Sequence, residues 1–268
     1  MNNLHRELAP ISTGAWAQID QEASRTLKRY LAARRVVDVV GPQGADCSAV
    51  GTGHLRPIQA SGDGVQATQR EVKALVELRV PFELSRDAMD SVERGANDPD
   101  LQPLKDAARR IAAAEDRAVF DGYAAGGIQG IREGSSNAAV ALPSDLDDYP
   151  AAVAQAVNRL RLAGVDGPYT LLLGEQAYTA LSGVTDDGYP VLRGIRELVD
   201  GEIVWAPAIE GGLVLSTRGG DHELHIGQDM SIGYLGHNES SVRLYLQETF
   251  TFLLLATEAS VSLAVEEK

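Results

Sequence analysis

Five histidines, one cysteine and a glycine-rich turn are the residues of this chain whose types could do chemistry. The histidines are His5, His54, His222, His225 and His237, and the cysteine is Cys47. His222 and His225 are the nearest thing to a metal pair. A spacing of three residues on a strand puts them on opposite faces, so they are expected to be solvent-facing turn histidines rather than ligands. Cys47 lies in a segment rich in Gly, Ala and Ser with no histidine nearby, which leaves it without an activating base. No Gly-x-Ser-x-Gly nucleophile elbow is present, nor a phosphate loop ending in Gly-Lys-Ser/Thr. Gly219-Gly220-Asp221 reads as a tight turn, because no helix start follows it. No catalytic, cofactor-binding or metal-binding residue is expected, and the chain reads as something other than an enzyme.

Composition narrows the class further. At 268 residues the chain can bury a large core, as one domain or two. A single cysteine excludes disulfide scaffolds. The longest apolar run, Phe252-Leu253-Leu254-Leu255-Ala256, is too short to span a bilayer, and Met1–Arg6 lacks the apolar core of an export signal. The expected location is therefore the cytoplasm, with no membrane partner. The net charge is −14, from 38 acidic against 24 basic residues. Such a balance opposes binding to phosphate backbones, so no nucleic-acid partner is expected. Residues 1–35 depart from it: Arg6, Arg25, Lys28, Arg29, Arg34 and Arg35 face only Glu7, Asp20 and Glu22.

The elements that would position these groups follow from periodicity. Trp16, Ile19, Ala23, Leu27, Tyr30 and Leu31 recur at three- and four-residue spacing and predict an amphipathic helix, capped by Ser12 or Thr13. Arg34-Arg35 reads as a short basic step and Val36–Val40 as a strand. The apolar stripe of the helix either covers its own domain or leaves a groove for a partner. His54–Ala60 and Val65–Val72 flank Ser61-Gly62-Asp63-Gly64 and predict a hairpin with too few apolar residues to bury itself. Leu75–Leu84 reads as a strand, Ser85–Gly95 as a short helix and Leu101–Tyr123 as the longest helix, rich in alanine. Pro143–Ala163 predicts a further helix, Tyr169–Leu173 a buried strand and Glu175–Leu181 a short helix. The remainder reads as strands at Ile203–Pro207, Leu213–Ser216, Leu224–Ile226 and Val242–Phe252. The pattern is mixed α+β with one projecting arm.

A set of separated stretches carries a family likeness. They are Leu8-Ala9-Pro10 with Ala15-Trp16; Arg34-Arg35-Val36-Val37-Asp38-Val39 with Gly41-Pro42; and Leu78-Arg79-Val80-Pro81-Phe82 with Val92-Glu93-Arg94-Gly95. Next come Glu115-Asp116-Arg117 with Phe120-Asp121-Gly122-Tyr123, Gly167-Pro168-Tyr169 and Arg218-Gly219-Gly220-Asp221. The last are Gly227-Gln228-Asp229 with Ile232-Gly233-Tyr234, and Val242–Tyr245 with Gln247–Phe252. In this order they make the chain resemble, from end to end, the family 1 encapsulin shell proteins (linocin-like proteins).

That resemblance implies an HK97 phage major capsid-like fold. It divides the chain into an N-terminal helix arm and first strand (1–42), an E-loop hairpin (43–80), a first part of the P-domain with a long spine helix (81–135), an A-domain (136–223) and a C-terminal part of the P-domain (224–268). It implies self-assembly into a hollow icosahedral shell of the smallest class, about sixty subunits. The enclosed cargo enzyme would be a dye-decolorising peroxidase or a ferritin-like protein, recruited by its C-terminal targeting peptide. Carried onto this sequence, the docking residues are Leu27, Tyr30 and Leu31 with Arg34 and Asp38 as polar anchors; the alternative is that the leucines are plain core. Thr185, Asp186, Asp187, Gly188 and Tyr189 align with the loop at the five-fold pore, where paired aspartates would attract cations, though Asp-Asp-Gly is also ordinary turn chemistry. Some members stack a flavin on a Trp whose matching position here is Asp87, so no flavin is expected. A phage-type major capsid protein would share the fold, but −14 per subunit disfavours packed DNA.

Overall fold

The computed structural model describes residues 3–183, 185–186 and 189–265. Helix α1 (Thr13–Tyr30) begins where Ser12 accepts a hydrogen bond from the Ala15 amide, 3.1 Å, and carries Lys28 and Arg29 in its last turn. Its buried side is Ala15, Ile19, Ala23 and Leu27. The basic step is a 3-10 turn over Ala33–Arg35, and the strand expected over Val36–Val40 is shorter, Asp38–Val40 (β1). The cause is buried. Both carboxylate oxygens of Asp116 accept backbone amides, from Ala32 at 3.0 Å and Ala33 at 2.9 Å, and hold the chain in a turn there.

Among the described residues, strands β2 (Ala49–Ile58) and β3 (Ala67–Ala74) pair only with each other. Leu55, Ile58, Val65 and Val72 of this hairpin are all exposed. The chain returns through β4 (Val76–Ser85) to α2 (Arg86–Glu93), capped by Ser85. Helix α3 (Gln102–Phe120) buries Leu104, Ala107, Ala108, Ile111 and Ala112 in succession. The alanines let α1 and the sheet approach its backbone closely.

Next come α4 (Ile131–Gly134) and β5 (Val140–Leu142). The helix expected from Pro143 starts later, as α5 (Tyr149–Leu162). Asp145 accepts a bond from the Asp147 amide, 3.1 Å, and holds a 3-10 turn over Leu146–Asp148; Pro150 then fits the first turn of the helix. Strand β6 (Tyr169–Leu173) is buried throughout and leads to α6 (Glu175–Ser182). The two-residue strands β7 (Thr185–Asp186) and β8 (Tyr189–Pro190) pair with each other, and α7 (Val191–Leu198) follows. Helix α7 falls in a stretch for which the sequence predicts no element. Val191 and Ile195, four apart, are its buried pair, and Gly194 between them weakens the helical signal. The rest is β9 (Ile203–Trp205), β10 (Gly212–Ser216), β11 (His222–Ile226), β12 (Ser231–His237), β13 (Ser241–Leu254) and β14 (Ser260–Val265).

These strands form two sheets of five. In the first, β1, β11, β13 and β12 are neighbours in that order, and β4 lies along the other edge of β13. In the second the order is β5-β14-β10-β6-β9. Strand β14 crosses back from the first sheet and pairs antiparallel with β10 and parallel with β5. The segment 136–223 leaves its own sheet incomplete, and alternating Val261 and Leu263 fill the gap.

Three apolar clusters follow. One lies between the second sheet and α5 and α7. One lies under α1 and α3, against β4, β12 and β13. The third joins the sheets around Phe120, Phe250 and Phe252. Phe250 is flanked by Val76 on β4 and Ile226 on β11 and is fully buried. Phe250→Ala is expected to lower unfolding stability by about 3–5 kcal/mol, read from the denaturant midpoint of disassembled subunits.

Candidate docking groove and the ion cluster behind it

The stripe of α1 faces two ways. Leu27 and Leu31 are only 7% and 8% exposed and pack on Phe82, Leu84 and Leu246 beneath. Their outer edges, with Ala23, Ser24 and Lys28, also line a groove of about 400 Å³ between α1 and β12. Met230, Ser231, Ile232 and Leu246 form its opposite wall, Arg34 and Asp229 one end, and Leu4, Arg6 and Asp20 the other. The same side chains therefore cover the core and line an open groove.

Arg34 is no free anchor. Its Nε and Nη2 donate to Glu115 at 2.9 and 2.5 Å, Nη2 also donates to Glu248 at 2.9 Å, and Nη1 reaches Asp229 at 2.7 Å. Glu115, Asp116 and Glu248 are fully buried. Burial works against the guanidinium charge, but Glu115, Glu248 and Asp229 more than offset it and hold the cation. Burial, then the neighbouring Glu115, push the Glu248 carboxyl well above the usual range, despite Arg34. Burial likewise lifts Asp116 to about 7, against the two backbone amides that favour its anion.

Two expected docking residues lie elsewhere. Tyr30 turns to the other side of α1, its ring 5.3 Å from Trp205 and 5.3 Å from the Arg109 guanidinium. Asp38, on β1, accepts the Gly220 amide at 2.6 Å and borders a separate polar cavity of about 180 Å³ with Arg35, Thr217 and His222. The groove thus joins Leu27, Leu31 and Arg34 and leaves out Tyr30 and Asp38. Leu4, Met230, Ile232 and Leu246 were not anticipated. The alternation of Leu244 and Leu246 on a strand was their only trace in the sequence.

The histidine pair needs correction. His222 and His225 are both buried, on β11 rather than in a turn. Strands β1 and β13 pair with the two edges of β11. His222 stacks on Phe252, its Nε2 has no hydrogen-bond partner among the described residues, and burial lowers its pKa to about 4. His225 lies 2.8 Å from Glu223, on the other face, as the spacing of three requires. Among the described residues, no group of three or more His, Cys, Asp or Glu is placed to hold a metal ion. No described helix is long and apolar enough to cross a membrane. Asp187 and Gly188 of the expected pore loop lie outside the described residues. Around them the backbones of Asp186 and Tyr189, and of Thr185 and Pro190, are paired.

Two open five-stranded sheets, a long helix behind one of them and a projecting hairpin are the parts of a capsid subunit. Solved structures share them. A virus-like particle from Pyrococcus furiosus matches with a TM-score of 0.66 at 16% identity, covering 93% of this chain and 99% of that one. The capsid of the myovirus phage XM1 matches at 0.57 and 12% identity, covering 88% and 92%. The fold is that of HK97-like phage capsids. The family described as encapsulating protein for peroxidase matches residues 1–251. Type 1 encapsulin shell proteins of Rhodococcus erythropolis, Brevibacterium linens and Mycobacterium tuberculosis are 58%, 57% and 53% identical, covering 98–99% of this chain and all of theirs. The chain belongs to this family of encapsulin shell proteins.

Asp116 makes the cluster pH-sensitive. Its folded pKa lies above the unfolded value, so the folded state binds the proton more tightly. The stabilisation is complete below about pH 4 and is lost as pH rises through about 7. Glu248 acts in the same direction. Asp116→Asn cannot titrate, and a thermal-melt series is expected to show a shallower fall in stability between about pH 4 and 7.

Proposed function

We propose that many copies of this chain close into a hollow shell of about sixty subunits, and that each copy offers the α1–β12 groove to the C-terminal targeting peptide of an enclosed enzyme. The observation that carries this reading is the β2–β3 hairpin. A two-stranded ribbon alone in water is marginal, and this one shows solvent four large apolar side chains with no layer of its own chain beneath them. A neighbouring subunit supplies the missing support. The family description, an encapsulating protein for peroxidase, supports a peroxidase as guest, with a ferritin-like protein as the other member of the same cargo class.

The groove suits an extended apolar tail. Apolar surface covered there contributes about 25 cal/mol per Å², less the cost of ordering the peptide. Repetition of the site over a closed wall adds avidity for an oligomeric guest. The chain's own role is structural, as container rather than catalyst, in the cytoplasm. At the five-fold axis, Thr185–Tyr189 would ring an opening with Asp186 and Asp187 and favour cations. An HK97-type phage capsid subunit remains the second reading on fold alone, and the −14 charge argues for a protein guest over packed nucleic acid.

Two experiments test this. Leu55→Lys with Val72→Lys places charge on the hairpin without touching the core. The variant is expected to keep its circular dichroism yet form no closed particles by electron microscopy; intact shells would refute the assembly role. Leu27 and Leu31 hold the core, so charging them would unfold the site rather than block it. Ser24 is exposed on the lip, and Ser24→Arg is expected to leave assembly intact and cut co-purifying cargo by at least about tenfold. Full loading would remove the groove from the mechanism.

A further inference from the structure

The far end of the groove is closed by the chain itself. Residues 3–8 run from one face of the first sheet, across the free edge of β12, to α1. On the first face the Tyr245 hydroxyl donates to the Asn3 carbonyl, 3.3 Å, and Asn3 Nδ2 donates to Gln228, 3.1 Å. At the edge the Tyr234 amide donates to the Leu4 carbonyl, 2.8 Å. His5 then takes a left-handed conformation, φ 52°, which turns the strap toward α1. There Arg6 pairs with Asp20 at 2.8 Å and lies 4.0 Å over the Trp16 ring. The side chain of Leu4 lines the same cavity as Leu27, Leu31, Ile232 and Leu246.

Of these contacts, that of Leu4 is to the strand edge beside the groove and the ion pair of Arg6 is to Asp20 on its lining, while Asn3 is held on the far face of the sheet. None of Arg6, Glu7 and Leu8 is buried, and Leu8 is 53% exposed. The strap is held by a few polar contacts of the kind that hydrogen bonds, exposed ion pairs and cation–π pairs make at a surface, each weak on its own. Its apolar offering to the groove is one leucine, the same chemistry that an apolar tail would bring. The remaining space of about 400 Å³ takes only a few apolar side chains.

Resting on the groove reading above, we propose that residues 3–8 are a built-in occupant of the docking groove, with Leu4 in the position that an apolar residue of the incoming cargo tail must take. Binding of the tail then lifts Leu4 away and releases the Tyr234 amide. Leu4 and the strap set both the affinity and the length of tail that the groove accepts.

The test uses assembled shells and a fluorescent synthetic peptide carrying the C-terminal tail of the protein that co-purifies with them. Leu4→Ser keeps the strap backbone and removes its apolar side chain; it is expected to tighten peptide binding about three- to tenfold. In the unmodified shell, hydrogen exchange at the Tyr234 amide is expected to speed up when the peptide is bound. Weaker or unchanged binding by the Leu4→Ser shell overturns the proposal, as does a Tyr234 amide that becomes slower or stays unchanged on binding, since a strap that merely walls the groove gives those results. The Ser24→Arg shell separates the two levels. If it loses the peptide while Leu4→Ser changes nothing, the groove stands and the strap idea falls. If the unmodified shell binds no peptide, or Ser24→Arg binds it as well, both fall.

Discussion

One guanidinium holds the inner architecture together. Arg34 sits just past the end of α1 and reaches α3 through Glu115, β13 through Glu248 and the loop before β12 through Asp229. Two of those carboxylates have no exposure at all. Taking them from water costs several kcal/mol each unless the cation is present and well placed. The cluster therefore tolerates little change: the helix, the spine and the sheet must meet at one geometry or leave a buried charge unpaired. The amides of Ala32 and Ala33 on Asp116 fasten the same corner from the backbone side. This rigid corner fixes the distance between α1 and β12, and so the width of the groove.

The groove owes its character to economy in α1. An apolar stripe wide enough to seal the core and also line a cleft needs residues that do both, and Leu27 and Leu31 are those residues. Groove lining and core packing are thus coupled at these two positions. Ser24 and Lys28, one step around the helix, line the groove without entering the core. Tyr30 belongs to a different set of contacts, a cation–aromatic stack of Arg29, Trp205, Tyr30 and Arg109 that ties the end of α1 to β9 of the second sheet.

How much was readable in advance follows from where the determinants lie. Helices α1 and α3 declare themselves by periodicity, since each buries one stripe and is capped locally. The hairpin declares itself by its turn and by the shortage of apolar residues around it. The 3-10 turn at Ala33–Arg35 was invisible, because its cause, Asp116, lies far along the chain. The same distance hid Arg34: as a polar residue after a basic helix it reads as exposed, whereas its partners come from three other elements. His222 and His225 were misplaced for a related reason, since what covers them, such as Phe252 against His222, lies far along the chain. Helix α7 was lost to its shortness and to Gly194. The opposite wall of the groove was missed because β12 carries two glycines among its seven residues and is bulged near Tyr234.

Strand β14 has a consequence for how such a subunit is made. It lies inside the second sheet, between β5 and β10, yet it follows every other described strand in the sequence. Until it pairs, β10 has an open edge and β5 has no partner. Pairings this distant in sequence form late. The second sheet therefore closes only after all the strands of the first are already available to pair.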